Sequence, residues 1–227
     1  MAKKKTTTRK TTPAPDPDTK KRAGRIYRKL ARAYPDARCA LEHQNAFELL
    51  IATILSAQCT DERVNMTTPD LFARYPTPQK LAKAKQEDVE KIVKSCGFYR
   101  NKAKSIRGAA KGLVDDHEGE VPADMDALLK LPGVARKTAN VVLGNAYQIN
   151  EGVVVDTHVK RLANRMGLTT HTDPGKVERD LMPLFTRKNW TMLSHLLIWH
   201  GRRICPARKP KCDDCPIAND CPRVGVA

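Results

Sequence analysis

The chain has 227 residues, with 41 Lys or Arg against 25 Asp or Glu and a formal charge of +16. Hydrophobic residues at 41% are enough to build a real core, which excludes a wholly disordered chain, and no apolar run reaches the length that crosses a membrane. The charge favours a polyanionic partner, nucleic acid first and an anionic membrane second, with a basic but catalytically silent protein as the competing reading.

Residues 1–22 stand apart. They hold six Lys, two Arg, six Thr and three Pro against only Asp16 and Asp18, a net +6, and with almost nothing to bury they are expected to be a disordered basic tail. Such a tail could add non-specific affinity for DNA, or serve solubility or targeting. No apolar stretch follows its charges, so a secretory signal is not expected. A cytoplasmic protein is expected, nucleoid-associated through DNA binding if bacterial, and not secreted. Disulfides are then not expected, and the seven cysteines read as thiols or metal ligands.

From about Arg25 the pattern is helical nearly throughout. Phe47, Leu50, Ile51, Ile54 and Leu55 recur at helical spacing behind an Asn45–Glu48 capping box. Val89, Ile92 and Val93 form a second stripe that should stop at Gly97. Leu128 and Leu129 precede a break, and Val141, Val142 and Leu143 follow it. Val153-Val154-Val155 is the one β-branched run and is too short to found a sheet. Leu193, Leu196, Leu197 and Trp199 mark a late helix. An all-α protein is expected.

The break, Leu131 to Ala139, carries the first chemical signal. Pro132 lacks an amide hydrogen and Gly133 tolerates a positive φ, so together they end a helix. Val134 can tuck into the core and hold the turn closed. The outward amides of such a turn, with those opening the next helix, can cradle a phosphate. This is the pattern of a helix-hairpin-helix, a clamp on the DNA backbone. Lys137 falls in the first turn of the second helix, where the helix dipole disfavours an ammonium and so favours the neutral amine that a nucleophile needs. A plain phosphate contact is the alternative. Asp156, between the valine run and a helical stretch, reads by default as an N-cap.

Cys205, Cys212, Cys215 and Cys221 crowd the C-terminus with gaps of six, two and five residues. Four thiolates can hold zinc or an iron–sulfur cluster; paired short knuckles favour zinc, and only one short pair exists here. Arg208, Lys209 and Lys211 lie between the first two cysteines and suit phosphate contact on a pinned loop, with a solvated charged loop as the competing reading.

Four segments in this order resemble the endonuclease III family, helix-hairpin-helix DNA glycosylases and AP lyases with an iron–sulfur cluster. They are Leu55-Ser56-Ala57-Gln58 with Thr60-Asp61, the run Leu131 to Val142, Val155-Asp156-Thr157-His158, and the cysteine set. The likeness runs from roughly Arg25 to Cys221. It implies a two-domain all-α fold with double-stranded DNA between the domains. Residues 41–150 would form a six-helix domain with the hairpin, and residues 23–40 and 151–227 a helical domain ending in the cluster loop.

The resemblance further implies that the Lys137 amine attacks C1′ of the damaged nucleotide, expels the base and forms a Schiff base. Loss of a 2′ proton then breaks the 3′ phosphodiester. Asp156 would assist proton transfer, while His158, by its own sequence, reads as a packing or hydrogen-bonding residue rather than a catalytic one. The four cysteines would hold a 4Fe-4S cluster as a structural cofactor. Gln58 would fill the gap left by an extruded base. Phe98 is an apolar wedge candidate at a turn, with a core position as its competing reading.

Gly133 and position 135 would approach a phosphate; the family has a glycine where this chain has Ala135, and a positive φ there would strain the alanine. The implied function is a bifunctional glycosylase and lyase in base excision repair. Its substrate would be DNA carrying oxidised pyrimidines or abasic sites, and a monomer with no membrane partner is expected. The alternatives are a mismatch-specific glycosylase of the same superfamily, which Lys137 speaks against, and a non-catalytic metal-stabilised DNA-binding module.

Overall fold

The computed structural model describes residues 16–226, so the expectation for the first 15 residues lies outside it. The described residues form eleven α-helices and four short 3-10 turns, with no strand. The first helix, α1 (Pro17–Ala33), begins inside the segment expected to be tail. Asp16 caps it by accepting from the Thr19 amide at 2.8 Å, and Pro17 supplies the preset φ of a first helical position. Ala23, Ile26 and Leu30 share its buried face. Arg22 donates to the backbone carbonyls of Met166 and Gly167. The tail boundary at residue 22 is therefore corrected to the start of α1, because cap and packing outweigh composition.

Helices α2 (Ala46–Leu55), α3 (Asp61–Arg74), α4 (Pro78–Ala82), α5 (Gln86–Val93), α6 (Tyr99–His117), α7 (Met125–Lys130) and α8 (Arg136–Ala146) surround one hydrophobic cluster. That is one helix more than the six expected, the extra being the five-residue α4. Helix α2 is buried almost all round and forms the centre. Its capping box is present in a shifted form: Asn45 accepts from the Glu48 amide, while the Glu48 carboxylate reaches back to the Gln44 amide. Of the two leucines before the break, Leu128 is buried and Leu129 is 41% exposed, because α7 turns only its Leu128 side inward.

A second cluster gathers α1, α9 (Thr157–Arg165), α10 (Pro174–Leu181), α11 (Trp190–Arg203) and Ile217 of the C-terminal loop. The valine run crosses between the clusters as buried extended chain. Lacking a strand partner, it gives the Val154 amide to the Ser194 hydroxyl at 3.0 Å. The clusters are tied by Arg136, whose guanidinium meets Glu178 at 3.0 Å, and by Arg202 on Asp61 at 2.5 Å. Between these ties lies a cleft.

Candidate active site and cysteine loop

The hairpin is built from helix-end chemistry. Asp124 caps α7 by accepting from the Ala127 amide at 2.8 Å, and the helix stops at Leu131. Gly133 stands at φ +79°, and a Cβ there would fall 2.8 Å from the Cβ of Ser105 on α6, so the turn needs glycine on two counts. Val134 is buried beneath the turn. Ala135 sits at φ −97°, ψ 169°, an extended conformation open to any residue, so the alanine brings no strain. It offers no side-chain acceptor to α8, and the first turn of α8 carries no acid. Those amides are left for an outside anion.

Lys137, exposed in that first turn, lines a cavity of about 110 Å³ together with Asp156, Asp61, Asn145, His195 and Arg202. The cavity lies between α8 on one side and α11 on the other, with Asp156, the N-cap of α9, at its wall. Asp156 caps α9, its Oδ1 accepting from the Val159 amide at 2.7 Å, and this fixes the carboxylate at the cavity wall. His158 is spent on structure. Burial holds its pKa below the usual histidine value, against the pull of the Asp156 charge, and its Nδ1 accepts from Arg161 Nη2 at 3.1 Å.

Gln58 and Phe98 both project from strained turns. Gln58, between α2 and α3, has φ +52°, and Phe98, between the 3-10 turn Lys94–Cys96 and α6, has φ +44°. A non-glycine residue in the left-handed region costs about 1–2 kcal/mol, so the surroundings must hold each turn. The buried ammonium of Lys102 does this beneath Phe98, donating to the Cys96 carbonyl at 2.6 Å. Phe98 is 66% exposed, which overturns its core reading: the positive φ aims its side chain away from the first cluster.

The four C-terminal cysteines line one further cavity, beside Arg165, His200 and Ile204. Arg165 holds the loop in place: Nη1 donates to Cys205 Sγ at 3.2 Å and to the Pro206 carbonyl, and Nη2 to the Ala207 carbonyl. Lys211 returns its amide to the Ile204 carbonyl at 2.9 Å, so Arg208, Lys209 and Lys211 are displayed, exposed, on a closed loop. Lys209 is a further residue at positive φ, +50°.

His200 sits between Tyr34 and Cys215. Burial lowers its pKa to about 4 and raises that of Tyr34 to about 12, so both are neutral near pH 7. The phenol then donates to Nδ1 at 2.8 Å, which leaves the Nε2 hydrogen for Cys215 Sγ at 3.5 Å.

Burial first, and then the neighbouring thiols, push Cys215 and Cys221 above the ordinary thiol range. Four thiols in such a place become thiolates only around a cation. Among the described residues, no three His, Cys, Asp or Glu side chains converge closely enough for a single metal ion. Four thiols around one cavity without that convergence fit a larger group better than one zinc.

Sequence reasoning missed Lys102, Arg161, Arg165, His195 and His200. A signal existed for two of them. Arg161 and Arg165 are four apart on α9 and therefore share the face toward the loop, and Arg161 donates to the Gly201 and Cys205 carbonyls there.

Residues 51–187 match the HhH-GPD superfamily base excision DNA repair protein family. An Endonuclease III of Synechocystis sp. is 54% identical over 203 residues, covering 89% of this chain and 93% of that protein. The Endonuclease III of Bacillus subtilis is 43% identical over 194 residues, covering 85% and 88%. Among solved structures, a non-covalent Endonuclease III–DNA complex matches with a TM-score of 0.85 at 42% identity, over 90% of this chain and 95% of that one. A thermostable thymine-DNA glycosylase, 22% identical with a TM-score of 0.79 over 90% and 97%, shares the fold.

Proposed function

The chain belongs to the endonuclease III family of the HhH-GPD superfamily, base-excision DNA glycosylases that also cleave at abasic sites, and we propose that Lys137 and Asp156 carry that chemistry here. The observation that carries this reading is their shared cavity, with a primary amine on one wall and a fixed carboxylate on another. The neutral Lys137 amine attacks C1′, the base leaves with the glycosidic electron pair, and the sugar opens to an imine. Asp156 takes up the proton that the amine sheds and stabilises positive charge at C1′. Loss of a 2′ proton then pushes electrons onto the 3′ oxygen, and the strand breaks by β-elimination.

Duplex DNA binds across the hairpin and the cysteine loop. Gly133 and Ala135 present backbone amides to a phosphate, and Arg208, Lys209 and Lys211 hold a second stretch of backbone. Gln58 and Phe98 occupy the duplex where the nucleotide has left it. The substrates are oxidised pyrimidines and abasic sites, and the protein acts as a monomer in the cytoplasm, at the nucleoid of a bacterium. Residues 41–150 form one domain, and residues 17–40 with 151–227 the other. Cys205, Cys212, Cys215 and Cys221 hold a 4Fe-4S cluster, which when bound supplies the positive charge that keeps their sulfurs ionised and the loop closed.

A panel of duplexes, each with one lesion, tests the reading. Oxidised pyrimidines should be released and the strand cut on the 3′ side, and Asp156→Asn should slow both steps about 100-fold or more while leaving binding intact. Binding to every duplex with no cleavage of any would replace the reading with a non-catalytic module.

A further inference from the structure

We infer that His195 reads the extruded base, accepting a hydrogen bond at Nδ1 from an N–H group on that base; this rests on the cavity being where the damaged nucleotide sits. His195 lies on α11 and lines the same cavity as Lys137 and Asp156.

Its tautomer follows from its neighbour. The Asn145 amide nitrogen donates to the Val141 carbonyl at 2.7 Å, a group that can only accept. The Asn145 oxygen is therefore turned to His195 Nε2, 2.7 Å away, and Nε2 must carry the hydrogen. Burial holds the ring neutral, with a pKa of about 4. A neutral ring with its hydrogen on Nε2 has a bare lone pair on Nδ1. That atom has no hydrogen-bond partner among the described residues, yet it is not one of the fully sealed polar atoms. It therefore keeps some solvent access, and the cavity is the space that the ring lines.

Apart from Lys137 and Arg38, whose amine and guanidinium only donate when charged, several polar side chains of the cavity wall are already bonded within the protein. Thr53 and Ser56 give their hydroxyl hydrogens to the Leu49 and Thr53 carbonyls, and Thr191 gives its own to the Asn150 side chain. Asp61 is held by Arg202 and Asp156 by the Val159 amide. A fixed, uncharged acceptor in a small cavity selects for a donor. It matches the imide N–H of a thymine- or uracil-derived lesion, or the exocyclic amine of a cytosine-derived one. A base with that position methylated leaves the lone pair unpaired and adds a methyl group against it.

The experiment uses the full chain and three duplexes, carrying dihydrothymine, N3-methyl-dihydrothymine or a preformed abasic site, under single-turnover conditions. The native protein should release dihydrothymine about tenfold or more faster than its N-methyl form. His195→Leu should lose about tenfold on dihydrothymine alone, staying within about twofold on the methylated base and on the abasic strand, which offers no base to read. His195→Gln, which keeps an acceptor, should recover part of the loss.

Equal release of the two bases by the native protein overturns the inference, and that arm needs no variant to fold. Equal losses on all three duplexes would make His195 a structural residue and overturn it as well. No cleavage of the abasic strand by the native protein would instead defeat the broader reading, and this one with it.

Discussion

Replacing Gly133 by alanine tests the hairpin at its tightest point. The new Cβ must sit at φ +79°, which costs about 1–2 kcal/mol for an L-residue. It also lands 2.8 Å from the Cβ of Ser105 and 3.3 Å from Cγ2 of Ile54, well inside the ~3.5–4.0 Å of a relaxed carbon contact. Both neighbours belong to the packed helices α6 and α2, so relief requires backbone movement, an overpacking cost of about 1–3 kcal/mol. Gly133→Ala should therefore lose about 2–5 kcal/mol in urea denaturation, and the displaced amides should weaken binding to undamaged duplex. Ser105→Gly removes the partner of the shortest contact, so the double variant should be less destabilised than the sum of the singles by about 1 kcal/mol. Ala135→Gly is the contrasting control: at φ −97° a glycine gains nothing and should cost about 0.5–1 kcal/mol through chain entropy. A Gly133→Ala protein within 0.5 kcal/mol of the native one, binding DNA unchanged, would refute this account of the turn.

Purified protein should be yellow-brown and contain iron and acid-labile sulfide, and Cys212→Ala should lose both; stoichiometric zinc without sulfide, in protein handled without air, would contradict the cluster. Asp220, buried with Lys29 Nζ and Arg25 Nε each at 2.8 Å, has a pKa below the ordinary carboxylate range, through its bonds to Lys29 first and Arg25 second. A depressed folded value gives stability that is present above about pH 4 and lost as pH falls through the folded pKa. The native urea midpoint should therefore drop in acid more steeply than that of Asp220→Asn, and parallel pH curves would contradict the pairing. Deleting residues 1–15 removes five cations and should flatten the salt dependence of duplex binding, with single-turnover cleavage hardly changed. Neutralising Arg208, Lys209 and Lys211 together should impair cleavage itself, and cleavage left intact would release that loop from the site.

What the sequence made legible was local. The hairpin could be read because Pro132 and Gly133 announce a helix end whatever lies around them, and the clustering of the four cysteines because their spacing is visible without knowledge of the fold. The start of α1 was also written there, in Asp16 and Pro17, but composition masked it. Other features depend on partners distant in the chain. His195 acquires its lone-pair direction from Asn145, 50 residues away, and Asp220 its charge from helix α1, 195 residues away. The exposure of Phe98 rests on one backbone angle and on a buried lysine below it. The exposure of Leu129 depends on which side of the six-residue α7 meets the core, and so short a stripe does not decide that.

The central claim is that Lys137 is the nucleophile, and reduction of the covalent intermediate tests it most directly. Borohydride added during reaction with a duplex bearing an oxidised pyrimidine should trap a protein–DNA adduct whose modified peptide contains Lys137. Lys137→Gln should bind the same duplex with similar affinity and yield no adduct. Undiminished trapping by that variant, or an adduct mapped to another residue, would contradict the account.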